Sequence, residues 1–142
     1  MPQYLLDGYR RFRQERFAGE AQRYRALARE QRPRTMVIGC ADSRVDPATI
    51  FSAAPGELFV VRNVAALVPP FEENGTFHGT SAALEFAVTV LGVDSIVVLG
   101  HGLCGGVAAA LSVGENRPVG RFIRPWVDLI AEVRDEVIAD IA

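Results

Sequence analysis

Lysine is missing from this 142-residue chain altogether, and all 15 basic side chains are arginines. That absence excludes a lysine Schiff base and the phosphate-binding lysine of a P-loop. Cysteine is scarce: Cys40 and Cys104 are the only two, too few for a disulfide framework. Histidine is equally sparse, with His78 and His101. No apolar run approaches the ~20 residues that cross a bilayer, and the N-terminus lacks the basic-then-apolar pattern of a secretory leader. Internal repeats, low-complexity tracts and linkers are absent too. Residues 1–142 therefore read as one domain, with a helical arm over 1–32 and a core over 33–142.

What is present is ordinary in bulk and uneven in detail. Apolar residues make up 49% and charged residues 23%, as in a globular protein. The net charge of −2 hides an arm of +5 over residues 1–34 and an acidic remainder of −7. Such an arm either lies across another protein surface, such as a twin subunit, or forms helices with solvated polar faces. An acidic body and a pI of 5.7 argue against nucleic acid as the partner.

Helical spacing of Leu5, Tyr9 and Phe12 predicts a helix over Tyr4–Arg16, and Gly19 separates it from a second over Glu20–Gln31. Short apolar runs at Thr35–Gly39, Glu57–Arg62 and Asp94–Gly100 read as buried parallel strands. Asp46-Pro47 supplies an N-cap and first residue for a short helix through Phe51. A loop from Pro69 to Gly79 leads to a helix over Ser81–Leu91, stopped near Gly92. Gly105–Ser112 reads as a small helix, Gly114–Gly120 as a turn region, and Phe122–Ala142 as one terminal helix with Trp126, Ile130, Val133 and Val137 inward. Alternating strands and helices make the fold class α/β, a parallel sheet flanked by helices.

Two segments carry the chemistry: Cys40-Ala41-Asp42-Ser43-Arg44 and His101-Gly102-Leu103-Cys104-Gly105-Gly106. Each follows a strand, so parallel pairing brings Cys40, His101 and Cys104 to one carboxyl edge, where open α/β sheets form their sites. Alone, either cysteine reads as a small buried apolar residue. Together, with the His-x-x-Cys spacing, they read as three ligands of Zn²⁺ with a fourth position open. Reduced thiols of this kind fit a cytoplasmic protein. Two thiolates neutralise the ion, so it acidifies water less than a three-histidine site does. Asp42 and Arg44 are placed to help: a carboxylate held by a guanidinium stays ionised and accepts a hydrogen bond from water at the open position. Released by Arg44, Asp42 would itself reach the metal as a fourth ligand; otherwise the pair is a plain turn-stabilising bridge. His78 reads as a loop anchor or exposed residue, with proton transfer as the alternative.

Three blocks, Cys-Ala-Asp-Ser-Arg (40–44), Pro-Gly-Glu-Leu-Phe-Val-Val-Arg-Asn (55–63) and Gly-His-Gly-Leu-Cys-Gly-Gly (100–106), give the chain a close resemblance to the β-class carbonic anhydrases, over about residues 5–130. The resemblance implies reversible hydration of CO2 to bicarbonate by zinc-bound hydroxide, in homodimers or tetramers joined through the N-terminal helices. It places Cys40, His101 and Cys104 on the zinc ligands and Asp42 and Arg44 on the Asp–Arg dyad. CO2 is then expected near Val64, Ala65 and Leu103, with the backbone amide at Gly105 facing substrate. Ala54 stands where plant-type members carry Gln, and Val37 where members with a regulatory bicarbonate site carry Trp. Relative to the family, the last strand and closing helices are expected to be missing, leaving a sheet edge uncovered. The alternatives are a hydrolase of carbonyl sulfide or carbon disulfide on the same fold, and a catalytically silent zinc-binding assembly module.

Overall fold

A computed structural model describes residues 1–73, 78–115 and 117–141. Its centre is a three-stranded parallel sheet in the order β2-β1-β3, formed by β1 (Thr35–Cys40), β2 (Leu58–Asn63) and β3 (Ser95–Leu99). Thr35 pairs with Leu58 on one side and Ser95 on the other. The register then runs to Cys40 opposite Asn63 and to Gly39 opposite Leu99. As the middle strand, β1 has no solvated side, and Met36, Val37 and Ile38 are fully buried. That is why its sequence is a continuous apolar run rather than an alternating one. Successive strands are laid down on opposite sides of β1, so the topology reverses there. The crevice at the carboxyl end of β1 and β3 is the switch point where such sheets place their sites.

The expected α/β class is therefore what forms, with helices flanking the sheet. Met36 and Ile38 pack with Ala87, Phe59 and Leu84. In the arm, α1 (Gln3–Phe12) runs into a wide π-type turn at Arg13–Phe17, and α2 (Ala21–Leu27) is shorter than its pattern suggested. Neither arm helix buries a residue completely; Tyr9, Phe12, Phe17 and Tyr24 cluster on one another instead. Leu27 seats the arm against Gly56, whose φ of +87° suits only glycine and whose Cβ would collide with Leu27. The short helix α3 (Pro47–Ile50) starts as expected, with Asp46 Oδ2 accepting from Thr49 N at 2.8 Å.

Helix α4 (Gly79–Glu85) widens into a π-type turn at Phe86–Leu91, where Thr89 Oγ1 donates to Glu85 O at 2.7 Å. Gly92, at φ +63°, ends it in the left-handed conformation. Helix α5 (Gly105–Gly114) follows β3. The terminal helix expected over Phe122–Ala142 is instead broken: α6 (Ile123–Val127), a 3-10 turn at Asp128–Ile130, and α7 (Ala131–Asp140). Trp126, Val127 and Ile130 pack on Ala110 and Val113 of α5. The chain then kinks at Ile130 (φ −111°, ψ 21°), and Val133 and Val137 turn outward, 59% and 53% exposed. Parts of three expected segments (74–77 in the loop, 116 in the turn region, 142 in the terminal helix) lie outside the described residues. The far edge strand β3 presents Ile96, Val97 and Val98 substantially to solvent.

Candidate metal centre

Cys40 is the last residue of β1, and Ala41 N closes the ladder onto Asn63 O at 2.8 Å. His101 follows β3, and Cys104 sits at the N-cap position of α5. The nearby amides at that helix start favour a thiolate. One ligand atom from each of Cys40, His101 and Cys104 lies within 4.8 Å of the others. Cys40 Sγ and Cys104 Sγ are 3.8 Å apart, both free and buried. Two sulfurs on a tetrahedral Zn²⁺ at 2.3 Å would stand about 3.8 Å apart, so the spacing already suits the ion.

The imidazole is prepared in the same sense. His101 Nδ1 is 3.0 Å from Gly102 O, the contact that puts the proton on Nδ1 and leaves a lone pair on Nε2. Nε2 is shielded from solvent and has no hydrogen-bond partner. A buried ring nitrogen without a partner is costly unless something occupies its lone pair, and a metal shared with the two sulfurs would do so. The Cys40 sulfur lies close enough to raise the imidazole pKa, although without hydrogen-bond geometry to Nε2. Burial pushes the Cys40 thiol up. The amides of Asp42 and Ala65, the His101 ring and the Cys104 thiol outweigh it and bring the value down to about 7.

Asp42 stands beside the cluster but outside it. Arg44 grips it in a fork: Nε to Oδ1 at 2.9 Å, Nη2 to Oδ2 at 2.6 Å, and its own amide to Oδ1 at 2.9 Å. These bonds hold the Asp42 carboxyl well below the usual carboxylate range. Asp42 is thus in the held-away arrangement, not in the fourth-ligand position also expected for it. Arg44 Nη2 further reaches Leu103 O at 3.3 Å, tying the two motif segments together.

The wall is built from strained backbone. Ala65, Ala66 and Leu103 adopt φ of 68°, 54° and 54°, each costing roughly 1–2 kcal/mol for a side chain with a Cβ. Asn63 holds the first bend, with Oδ1 accepting from Leu67 N at 2.8 Å and Nδ2 donating to Leu67 O at 2.8 Å. Ala65 and Ala66 pack against Cys40 and Cys104. Val64 is 39% exposed and Gly105 has open space around its Cα, and Leu103 is 91% exposed. His78 is not one of the clustered ligand residues: it lines a cavity of about 430 Å³ with Thr80, Phe122 and Trp126, its buried Nε2 unpartnered.

Residues 35–141 match the model of one protein family, described as carbonic anhydrase. The chain belongs to that family, in its β class. Among curated relatives, it is 36% identical over 139 residues to beta carbonic anhydrase 3 of Arabidopsis thaliana, covering 96% of this chain and 53% of that protein. Its structure is similar to that of the β-carbonic anhydrase CcaA, with a TM-score of 0.91 and 31% identity, over 98% of this chain and 66% of the other. A β-carbonic anhydrase of Sordaria macrospora, described as tetrameric, gives 0.84 and 33%, over 96% and 66%. The chain spans 34% to 53% of the length of the first curated relatives it matches. Enzymes of the β class use zinc, and Cys40, His101 and Cys104 form a group able to bind it.

Two contacts beside the site escaped the sequence. Arg62, taken as the end of a strand, bonds the turn that carries Cys40 and Asp42. Trp126, taken as helix core, donates Nε1–H to Val64 O at 2.7 Å across 62 residues. Periodicity assigns a residue to a face but carries no record of a partner that distant.

Proposed function

We propose that the chain catalyses the reversible hydration of CO2 to bicarbonate and a proton, with Cys40, His101 and Cys104 holding Zn²⁺. When bound, the ion supplies a Lewis acid that lowers the pKa of water. Asp42 supplies the acceptor. Each carboxylate oxygen offers two lone-pair directions; Oδ1 already receives two N–H groups and Oδ2 one. The remaining lone pair on Oδ2 accepts one O–H, and because the carboxylate stays ionised it can only accept. It orients a protonated oxygen and repels an unprotonated anion. Arg44 keeps that carboxylate from the metal position. The Gly105 amide and the apolar Val64 side of the wall would face CO2.

The observation that carries this reading is the joint geometry: three ligand atoms within 4.8 Å of one another, beside a carboxylate locked by its neighbouring guanidinium. Neither the carbonyl sulfide or carbon disulfide reading nor the silent-module reading is favoured by the family match. We further propose a single domain over 1–142 that assembles as a homodimer or tetramer through the arm. The arm's exposed Tyr4 and Tyr9 and its +5 charge against an acidic body support this, and a related Sordaria macrospora enzyme is described as tetrameric. Cytoplasmic location is proposed from the two free thiols. Among the described residues no helix is long and apolar enough to cross a membrane.

The test is stopped-flow CO2 hydration with metal analysis on the same preparation. The zinc-loaded chain is expected to turn over CO2. Arg44→Ala is expected to retain stoichiometric zinc and lose activity, because the Asp42 carboxylate is then free to take the metal position. A zinc-loaded wild-type chain with no hydration above buffer contradicts the proposal, and full activity in Arg44→Ala contradicts the role given to the pair.

A further inference from the structure

Arg62 sits at the penultimate position of β2, opposite Gly39 in the register, with a side chain only 28% exposed. Its guanidinium spans the turn from β1 to α3. Nε donates to Cys40 O at 2.8 Å, Nη2 to Asp42 O at 2.6 Å, and Nη1 lies 3.5 Å from Asp46 Oδ1. A planar fork can hold several fixed acceptors at once, which an ammonium cannot do with the same geometry. Gly39 gives the start of α3 room beside this strand: a Cβ there would stand a tight 3.3 Å from Pro47 Cγ, and an ordinary 3.9 Å from Arg62 Cγ. The two arginines thus divide one residue between them. Arg44, 61% exposed, holds the Asp42 carboxylate, while the more buried Arg62 holds the Asp42 carbonyl and the carbonyl of the neighbouring metal ligand.

We propose that Arg62 is a positioning residue for the metal centre. By fixing the main chain on both sides of Ala41, it presents Cys40 Sγ to the ion at its 3.8 Å spacing from Cys104 Sγ and sets the point from which the Asp42 side chain swings. A guanidinium acting only as a staple between strand and turn would stabilise the fold without altering the metal. The inference rests on the zinc reading above.

The experiment compares wild type, Arg62→Ala, Arg62→Lys and a control, Arg134→Ala, which removes a largely buried guanidinium that bonds Ala110 O at 3.3 Å on α5. Zinc affinity is measured by competition with a chromophoric chelator, the ligand field by the absorption of the Co²⁺-substituted chains, and stability by melting the metal-free chains. Arg62→Ala is expected to weaken zinc by about 10- to 100-fold, as loss of an outer-shell partner does, and to shift the cobalt bands. Arg62→Lys should fall between it and wild type. Arg134→Ala should lower the melting temperature and leave zinc affinity and cobalt bands as in wild type. Wild-type zinc affinity and cobalt spectrum in Arg62→Ala would overturn the proposal, whatever the melting temperature. Should that variant fail to fold, Arg62→Lys decides by the same two readings. A wild-type chain that binds no zinc would overturn the metal centre itself, an outcome distinct from wild type and variants binding it alike.

Discussion

The helix start beside Cys104 offers the sharpest test of the packing around the site. At Gly106 an added Cβ would stand 2.7 Å from Ala65 Cβ, 2.8 Å from Val64 Cγ1 and 2.9 Å from the Ala65 nitrogen. One of those atoms is backbone and another a methyl with no rotamer to escape into, so Gly106→Ala must move the Val64–Ala66 segment. Overpacking of this kind costs about 1–3 kcal/mol, while replacing glycine in a helix returns at most about 1 kcal/mol. The net effect is a destabilisation of about 1–2 kcal/mol, which for a chain of this size lowers Tm by roughly 3–8 °C. The adjacent Gly105 has nothing within 4 Å of the same built atom. Gly105→Ala is therefore expected to melt at or slightly above wild type. Thermal unfolding of the two metal-free variants, followed by circular dichroism, makes the comparison, and chelator competition should show zinc weakened only in Gly106→Ala. A Gly106→Ala chain that melts at or above wild type, or two variants that fall equally, would refute the reasoning.

Three further outcomes follow from the same geometry. Cys104→Ser should lose zinc and the stability that zinc confers; unchanged metal content in that variant would remove Cys104 from the ligand set. Met36 is fully buried in the sheet core, so Met36→Ala should cost about 2–5 kcal/mol by urea unfolding, and a loss under 1 kcal/mol would mean the core collapses around the gap. The folded pKa of Asp42 is depressed by Arg44, so its contribution to stability is present above the unfolded carboxylate value of about 4 and fades only as pH falls toward the folded one. In metal-free protein, the stability difference between wild type and Asp42→Asn should not shrink from pH 8 to about 5, where protonation of the nearby His101 adds to it, and should shrink below about 4; shrinkage between pH 7 and 5 would contradict the fork.

Much of the site was legible because its residues sit where short-range rules are strong. Gly39 and Gly100 end the apolar runs before the two motif segments, and Asp46-Pro47 announces α3 by capping chemistry alone. The placement of Cys40, His101 and Cys104 on one edge then followed from parallel pairing, and their proximity agrees with it. What escaped was set by contacts between distant segments. Trp126 and Ile130 anchor their stretch on α5, so α7 departs at a new angle and carries Val133 and Val137 outward despite a spacing that suggested one face. The positive φ angles of Ala65, Ala66 and Leu103 had no local signal, since none of the three is glycine; they persist because Asn63, Arg44 and the close approach at Gly106 hold the surrounding backbone.

Zinc K-edge X-ray absorption on the metal-loaded chain addresses the central claim most directly. Two sulfurs at about 2.3 Å and one ring nitrogen at about 2.0–2.1 Å are expected around the ion. A shell made only of nitrogen and oxygen, or a chain that retains no zinc after dialysis, would contradict it.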